Sequence, residues 1–306
     1  MKRFLCLIAF FFTLVIYSQI PVLIKDSIMN NYMENGFATK NFQPKGKTDS
    51  DSLRQGFWED YKVEKDYEII AIDGKPKHVM GVYLIYGEGN YTNNIRTGKW
   101  KFFVIEDKSL KKILQQEASY KDGYRDGSFT YYFPTGAKAI TGTYSIDAVN
   151  GECKNFYENG AVFALRNYAM GLANGKQYFY FPNGSVQIEN DVKDGKSNGV
   201  YKLFYANGKL MENIVYKMGV EDGMYQYYYD NGQLWIEKEY KMGRLLNVTA
   251  SFAKNGKKKD KGSLNNGNGT VNYYTEDGKI YNTITYKDGI IINETDVIPE
   301  PDFRKQ

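Results

Sequence analysis

From Gly127 to Leu246, aromatic and aliphatic residues alternate with polar ones in short runs that recur at a fixed interval. Glycines open successive runs at Gly127, Gly151, Gly175, Gly199 and Gly223, each 24 residues after the last. A constant interval of this length is the mark of a repeat architecture and overrides any local reading. In units numbered 1 to 24 from the opening glycine, positions 6 and 7 are aromatic in all five. They read Tyr132-Phe133, Phe156-Tyr157, Tyr180-Phe181, Phe204-Tyr205 and Tyr228-Tyr229. Positions 9 and 10 are Asn-Gly in four units (Asn159-Gly160, Asn183-Gly184, Asn207-Gly208, Asn231-Gly232) and Thr135-Gly136 in the other. Position 18 is Tyr144, Tyr168, Val192, Tyr216 and Tyr240.

Asn-Gly between aromatic or β-branched runs predicts a hairpin with a two-residue type I′ turn, in which both residues have positive φ. Positions 2–8 then form one strand and 11–18 its antiparallel partner. A segment with glycine near position 21 turns the chain into the next unit. No unit leaves room for a helix. Residues paired across strands share a face and successive residues alternate. Positions 3, 5, 7, 12, 14 and 18 therefore form the richer apolar face, as in Tyr225, Tyr227, Tyr229, Leu234, Ile236 and Tyr240. Positions 2, 4, 6, 11, 13 and 15 form a mixed polar face, on which the ring at position 6 stands among Lys, Gln, Glu and Asn. The expected fold class is mainly β: tandem hairpins of about 24 residues joined into one elongated, twisted antiparallel sheet.

The pattern reaches beyond these five units. Gly56 to Tyr61 opens like a unit, with Trp58 at position 3, and Gly98 opens the next clear one. Residues 56–97 fit either two irregular units, the second opening at Gly81, or one expanded unit, with a turn at Asp73-Gly74 in both cases. A longer loop is expected around Glu106–Leu110. In residues 247–268 the turn at Asn255-Gly256 persists, but the second strand is replaced by Lys257, Lys258, Lys259 and Lys261. Gly269 to Tyr274 restores the pattern. The expected organisation is a signal peptide at 1–18, a leader or linker at 19–55 with a short strand near Pro21–Lys25, the hairpin array at 56–293 and a polar tail at 294–306. The signal peptide is read from Lys2 and Arg3 followed by an apolar run from Phe4 to Tyr17, too short for a comfortable span. It implies export to the periplasm, the cell surface or the medium.

The unit G-x-(W/Y)-x-x-(Y/F)-(Y/F)-x-N-G-x-L, followed by Y-K-x-G-x-x-x-G, resembles the variant type of MORN repeat over about 56 to 293. The resemblance implies tandem hairpins in one elongated sheet. For function it implies a scaffold, a protein- or lipid-binding surface, or, for a bacterial branch, an antitoxin-like component. An exported chain departs from an antitoxin guarding the cytoplasm.

Composition narrows the chemistry. The 28 Tyr, 18 Phe and 30 Gly suit aromatic strands and glycine turns. Lys2 and Arg3 are the only charges in 1–18, so the formal charge of +4 falls to about +2 on their removal, which gives no case for nucleic acid. The single histidine, His78, expected in a loop, and the single mature cysteine, Cys153, exclude Ser-His-Asp or Cys-His nucleophiles and most zinc sites. Cys153, at position 3, is expected as a buried thiol. Glu189, Glu212, Glu237 and Glu239 alternate with Lys and Asn as exposed cross-strand partners do, rather than as a catalytic pair. No enzyme, cofactor or metal is expected. Lysines recur at position 19 (Lys121, Lys193, Lys217, Lys241, Lys287) with acids beside them, as on a solvated edge.

The candidate binding residues are the position 6 rings: Phe103, Tyr132, Phe156, Tyr180, Phe204, Tyr228 and Tyr274. The leading expectation is an exported, non-catalytic repeat protein that presents a β surface to another protein or an envelope component. The alternatives are an immunity-like protein that caps a toxin outside the cytoplasm, and a carbohydrate-binding surface.

Overall fold

The computed structural model describes residues 44–72, 75–105, 111–275 and 278–294, with side chains left out at 61–84 and 293–294. The segments read as signal peptide, the strand near Pro21–Lys25, the turn at Asp73-Gly74, the loop at 106–110 and the tail beyond Glu294 lie outside the described residues. Every regular element described is a strand. In the first unit, residues 1–161, these are β1 (Lys45–Thr48), β2 (Arg54–Ile72), β3 (Lys75–Thr92), β4 (Ile95–Ile105), β5 (Lys112–Lys121), β6 (Tyr124–Tyr132), β7 (Lys138–Ser145), β8 (Ala148–Val149) and β9 (Gly151–Phe156). In the second, residues 162–306, they are β10 (Val162–Ala169), β11 (Leu172–Ala173), β12 (Gly175–Tyr180), β13 (Val186–Lys193), β14 (Lys196–Phe204), β15 (Leu210–Lys217), β16 (Val220–Tyr228), β17 (Leu234–Lys241), β18 (Arg244–Ser251), β19 (Gly269–Tyr274), β20 (Ile280–Lys287) and β21 (Ile290–Glu294). Strands β1–β18 belong to one long antiparallel sheet and β19–β21 form a second. Within each unit, strands pair with their sequence neighbours.

The two kinds of turn are the reverse of the simplest reading of Asn-Gly. At the hairpin tip, the Gly184 N–H donates to Phe181 O at 2.8 Å and the Phe181 N–H donates to Ser185 O at 2.8 Å. Gly184 has φ 84°, while Asn183 is absent from the positive-φ residues. The loop is therefore three residues long, a type I turn closed by a left-handed glycine. The same bonds recur at 157–161, 205–209 and 229–233. Pro134 and Pro182 occupy the first central position of this turn, where a fixed negative φ is an advantage. Type I′ geometry instead joins the units: Asp194 and Gly195 have φ 50° and 76°, Met218 and Gly219 50° and 87°, Met242 and Gly243 48° and 75°.

A three-residue tip shifts the register by one, so that Tyr180 pairs with Val186 and Phe204 with Leu210. One residue further along, a bulge restores the expected pairing, Phe179 with Ile188 and Leu203 with Glu212. The bulged residue is position 13, and two residues there oppose one on the partner strand. Position 12 therefore joins position 6 on the mixed face, and positions 11 and 13 join the apolar face. Trp235, at position 13, stacks on Tyr229 with centroids 5.3 Å apart and lies edge-on to Tyr227.

In the first unit, β2 and β3 pair without a break from Gly56–Tyr91 to Ile72–Lys75, so residues 56–97 contain one expanded hairpin and Gly81 does not open a unit. The backbone of His78 lies in β3, opposite Ile69, and not in a loop. β1 pairs with β2 inside the stretch read as a leader. The core is a chain of rings on the apolar face. Trp100, fully buried, lies edge-on to Tyr91 at 5.1 Å, and Tyr91 in turn to Trp58 at 6.2 Å. Each ring covers a glycine of the preceding strand: Trp58 over Gly46, Trp100 over Gly89. Arg96 caps Trp100 at 4.6 Å, and Arg54 caps Trp58 at 4.9 Å. Cys153 is a buried thiol.

In the second unit the ladder runs without interruption from β12 to β18 and then stops. The lysine run 257–261 forms no strand; only the Phe252–Lys258 bridge remains. The sheet β19–β21 instead packs on the apolar face. Val271 and Tyr286 share a core with Ile236, Leu245, Val248 and Leu264. Lys238 is buried in this contact, with Nζ donating to Tyr273 Oη at 3.2 Å and lying 5.2 Å from the Tyr225 ring.

Candidate binding face

The face opposite the buried rings carries positions 2, 4, 6, 12 and 15. In the second unit the register aligns one row across seven strands: Leu165, Tyr178, Glu189, Lys202, Asn213, Gln226 and Glu237 are successive partners from β10 to β17. Pleating puts them all on the same face. Several of their side chains are linked. Lys202 lies 3.9 Å from Glu189, Asn213 Nδ2 donates to Gln226 Oε1 at 3.1 Å, and Gln226 Nε2 donates to Glu237 Oε2 at 2.8 Å. Thr249 Oγ1 donates to Glu237 Oε1 at 2.6 Å. The Asn213 Oδ1 atom is buried and accepts no hydrogen bond in the structure. Beside this row, Lys176 pairs with Asp191 at 2.9 Å. Burial works against the Asp191 carboxylate, but Lys176 and the Val200 N–H hold its pKa below the usual value.

An open depression of about 370 Å³ lies on this face, lined by Lys176, Tyr178, Glu189, Asp191, Lys202 and Asn213. Tyr178 and Tyr180, two residues apart on β12, are nearly parallel, with centroids 6.4 Å apart and planes 25° apart. The row was only partly legible in advance. Positions 4 and 15 are polar in most units, but a contiguous strip requires register across several hairpins, which a single unit does not encode.

The position 6 rings are placed as follows. In the second unit, Tyr180, Phe204 and Tyr228 sit at one register on alternate strands, half-buried, opposite the aliphatic residues Val186, Leu210 and Leu234. Burial, with Glu237 nearby, raises the Tyr228 pKa. Tyr274 stands apart. It belongs to the three-stranded sheet, is buried, and donates from Oη to Asp260 O at 2.7 Å under the Lys259 ammonium. In the first unit, Phe103, Tyr132 and Phe156 are half-buried. Phe103 tilts against Tyr86 at 5.5 Å, and Tyr132 donates to Glu117 Oε2 at 2.7 Å. Burial, then that carboxylate, pushes the Tyr132 pKa up to about 12.

Of the four glutamates weighed as acids, Glu189 and Glu237 lie in the polar row, and Glu239 accepts from Asn247 Nδ2 at 2.7 Å. Glu212 lies on the apolar face and accepts from Tyr225 Oη at 2.8 Å. The position 19 lysines are exposed, and Lys241 pairs with Asp222 at 2.8 Å. Among the described residues, no three His, Cys, Asp or Glu side chains gather as a metal site, and no helix is long and apolar enough to cross a membrane.

No curated protein matches the chain. Five stretches match the MORN repeat variant model, which supports a MORN repeat protein: 149–169, 173–194, 197–218 and 221–242 follow the 24-residue period, and 268–288 covers β19 and β20 of the three-stranded sheet.

Proposed function

We propose that the protein is an exported, non-catalytic repeat protein whose hairpin array presents a β surface to another protein or to a component of the cell envelope. The observation that carries this reading is the alignment of Tyr180, Phe204 and Tyr228. They form a regular series of half-buried rings beside a pre-linked polar row, on the face not used for the core. Side chains already held by their neighbours lose little entropy on binding, and aromatic anchors dominate contact energy. The apolar run Phe4–Tyr17 behind Lys2 and Arg3 supports export.

The test is affinity capture from envelope extracts with the parent chain and with Tyr180→Ser plus Tyr228→Ser. The expected result is loss of the captured component with an unchanged circular dichroism spectrum. Equal capture by both proteins sinks the ring series as the contact surface. A captured partner whose own activity is blocked in the complex makes the protein immunity-like rather than a scaffold. Fractionation of cells tests export: the chain is expected outside the cytoplasm, shortened near Ser18.

A further inference from the structure

We infer that the mixed face of the second unit is a binding site for an extended, uncharged, β1,4-linked polysaccharide lying across the strands along the row from Tyr178 to Glu237. This rests on the reading of that face as a binding surface and names its ligand. Four features point to it.

The first is pitch. Rings at position 6 recur every second strand, about 9.6 Å apart at ordinary strand spacing. That is close to the advance of two pyranose rings in an extended β1,4 chain. In such a chain every second ring presents the same face, so each of Tyr180, Phe204 and Tyr228 would meet an equivalent sugar. The second is the platform. Tyr178 and Tyr180 stand nearly parallel on one face, 6.4 Å apart, and set a second ring beside the position 6 series for an apolar sugar face.

The third is electrostatic. Around the depression Lys202 is matched by Glu189 and Lys176 by Asp191, and at the far end Glu237 is held by the neutral Gln226 and Thr249, so the strip offers a polyanion no positive field. What it offers is fixed donors and acceptors, which suit hydroxyls and acetamides. The fourth is a pre-ordered polar group. Asn213 lines the depression and its Nδ2 is held by Gln226. A side chain already fixed loses little entropy when a sugar seats beside it. A peptide strand is the poorer fit, because it would need the hydrogen-bonding edge of the sheet rather than its face.

The experiment is calorimetric titration of the full chain with N-acetylglucosamine hexamer, its dimer, cellohexaose and maltohexaose. The β1,4 hexamers are expected to bind at least tenfold more tightly than the dimer and than the α-linked maltohexaose. Tyr178→Ala and Tyr228→Ser should each weaken the hexamer at least tenfold, and Asn213→Ala should weaken it less. Circular dichroism on each variant confirms the fold. Absence of binding, or equal binding of α- and β-linked chains, overturns the inference. If no oligosaccharide binds while Tyr180→Ser plus Tyr228→Ser still abolishes capture from envelope extracts, the surface is real and its ligand is a protein. If capture too is unaffected, both readings fail.

Discussion

At the scale of single residues, side-chain chemistry explains what backbone preference alone does not. Asn at position 9 is not there for a left-handed conformation. Its Oδ1 accepts from the position 11 N–H, as in Asn207 with Lys209 at 3.0 Å, and its Nδ2 donates to the next hairpin, as in Asn207 to Asp230 O at 3.0 Å. The same pair of bonds recurs at Asn231. One side chain thus closes its own turn and ties neighbouring turns together. Position 7 tyrosines do similar work: Tyr205 Oη donates to Tyr228 O at 2.7 Å. Glu221 is the converse, a charge whose placement costs stability. It pairs with Tyr216 on the apolar face, and burial raises its carboxyl pKa above the usual 4.5, against the opposing pull of Lys238. A raised folded-state value means that the folded chain binds the proton more tightly than the unfolded one, so the penalty is full at neutral pH and fades as pH falls. Glu221→Gln is therefore expected to raise the midpoint of urea unfolding at pH 7. The gain should shrink as pH falls through the folded value and vanish below 4.5. A gain independent of pH would rule out the charge as its cause.

At the scale of elements, hairpins pack by laying a ring over a glycine of an adjacent strand. A Cβ on Gly89 would lie 2.3 Å from the Trp100 ring, and one on Gly142 would lie 2.8 Å from Phe129. Neither glycine has positive φ, so space and not backbone strain selects it. Gly89→Ala should cost about 1–3 kcal/mol by overpacking, and Trp100→Ala about 3–5 kcal/mol. The double variant should cost less than the sum, because a shortened Trp100 leaves room for the methyl. Additive costs in denaturant titrations would refute the stacking account. The hairpin itself was legible in the sequence, since its signal is local. The turn type was not: Asn-Gly serves both a two-residue type I′ loop and a three-residue loop whose glycine alone is left-handed. The bulge at position 13 then returns the strand to its expected partners, so the apolar face was read correctly at positions 3, 5, 14 and 18 and wrongly at 12.

At the scale of the whole molecule, a single-layer sheet must cover its apolar face. In the second unit the chain does so with its own last three strands. Removal of residues 263–306 would uncover Ile236, Leu245 and Val248. Each fully buried aliphatic side chain contributes about 1.5–3 kcal/mol, so the truncated chain should lose several kcal/mol and bind a hydrophobic dye. Unchanged stability with no dye binding would show that this contact contributes little.

The sequence by itself determined the 24-residue hairpin, the order of strands and most of the buried face, because turn chemistry and the two-residue pleat operate within one unit. Even the fold-back has a local trace, the lysines that replace a strand after Asn255-Gly256. Tertiary structure alone decided where the ladder ends and which surface β19–β21 covers. It also decided which polar residues line up from Tyr178 to Glu237. These outcomes depend on register accumulated over several hairpins and on a core that gathers residues far apart in the chain, such as Leu245 and Tyr286, whose energies no single repeat contains.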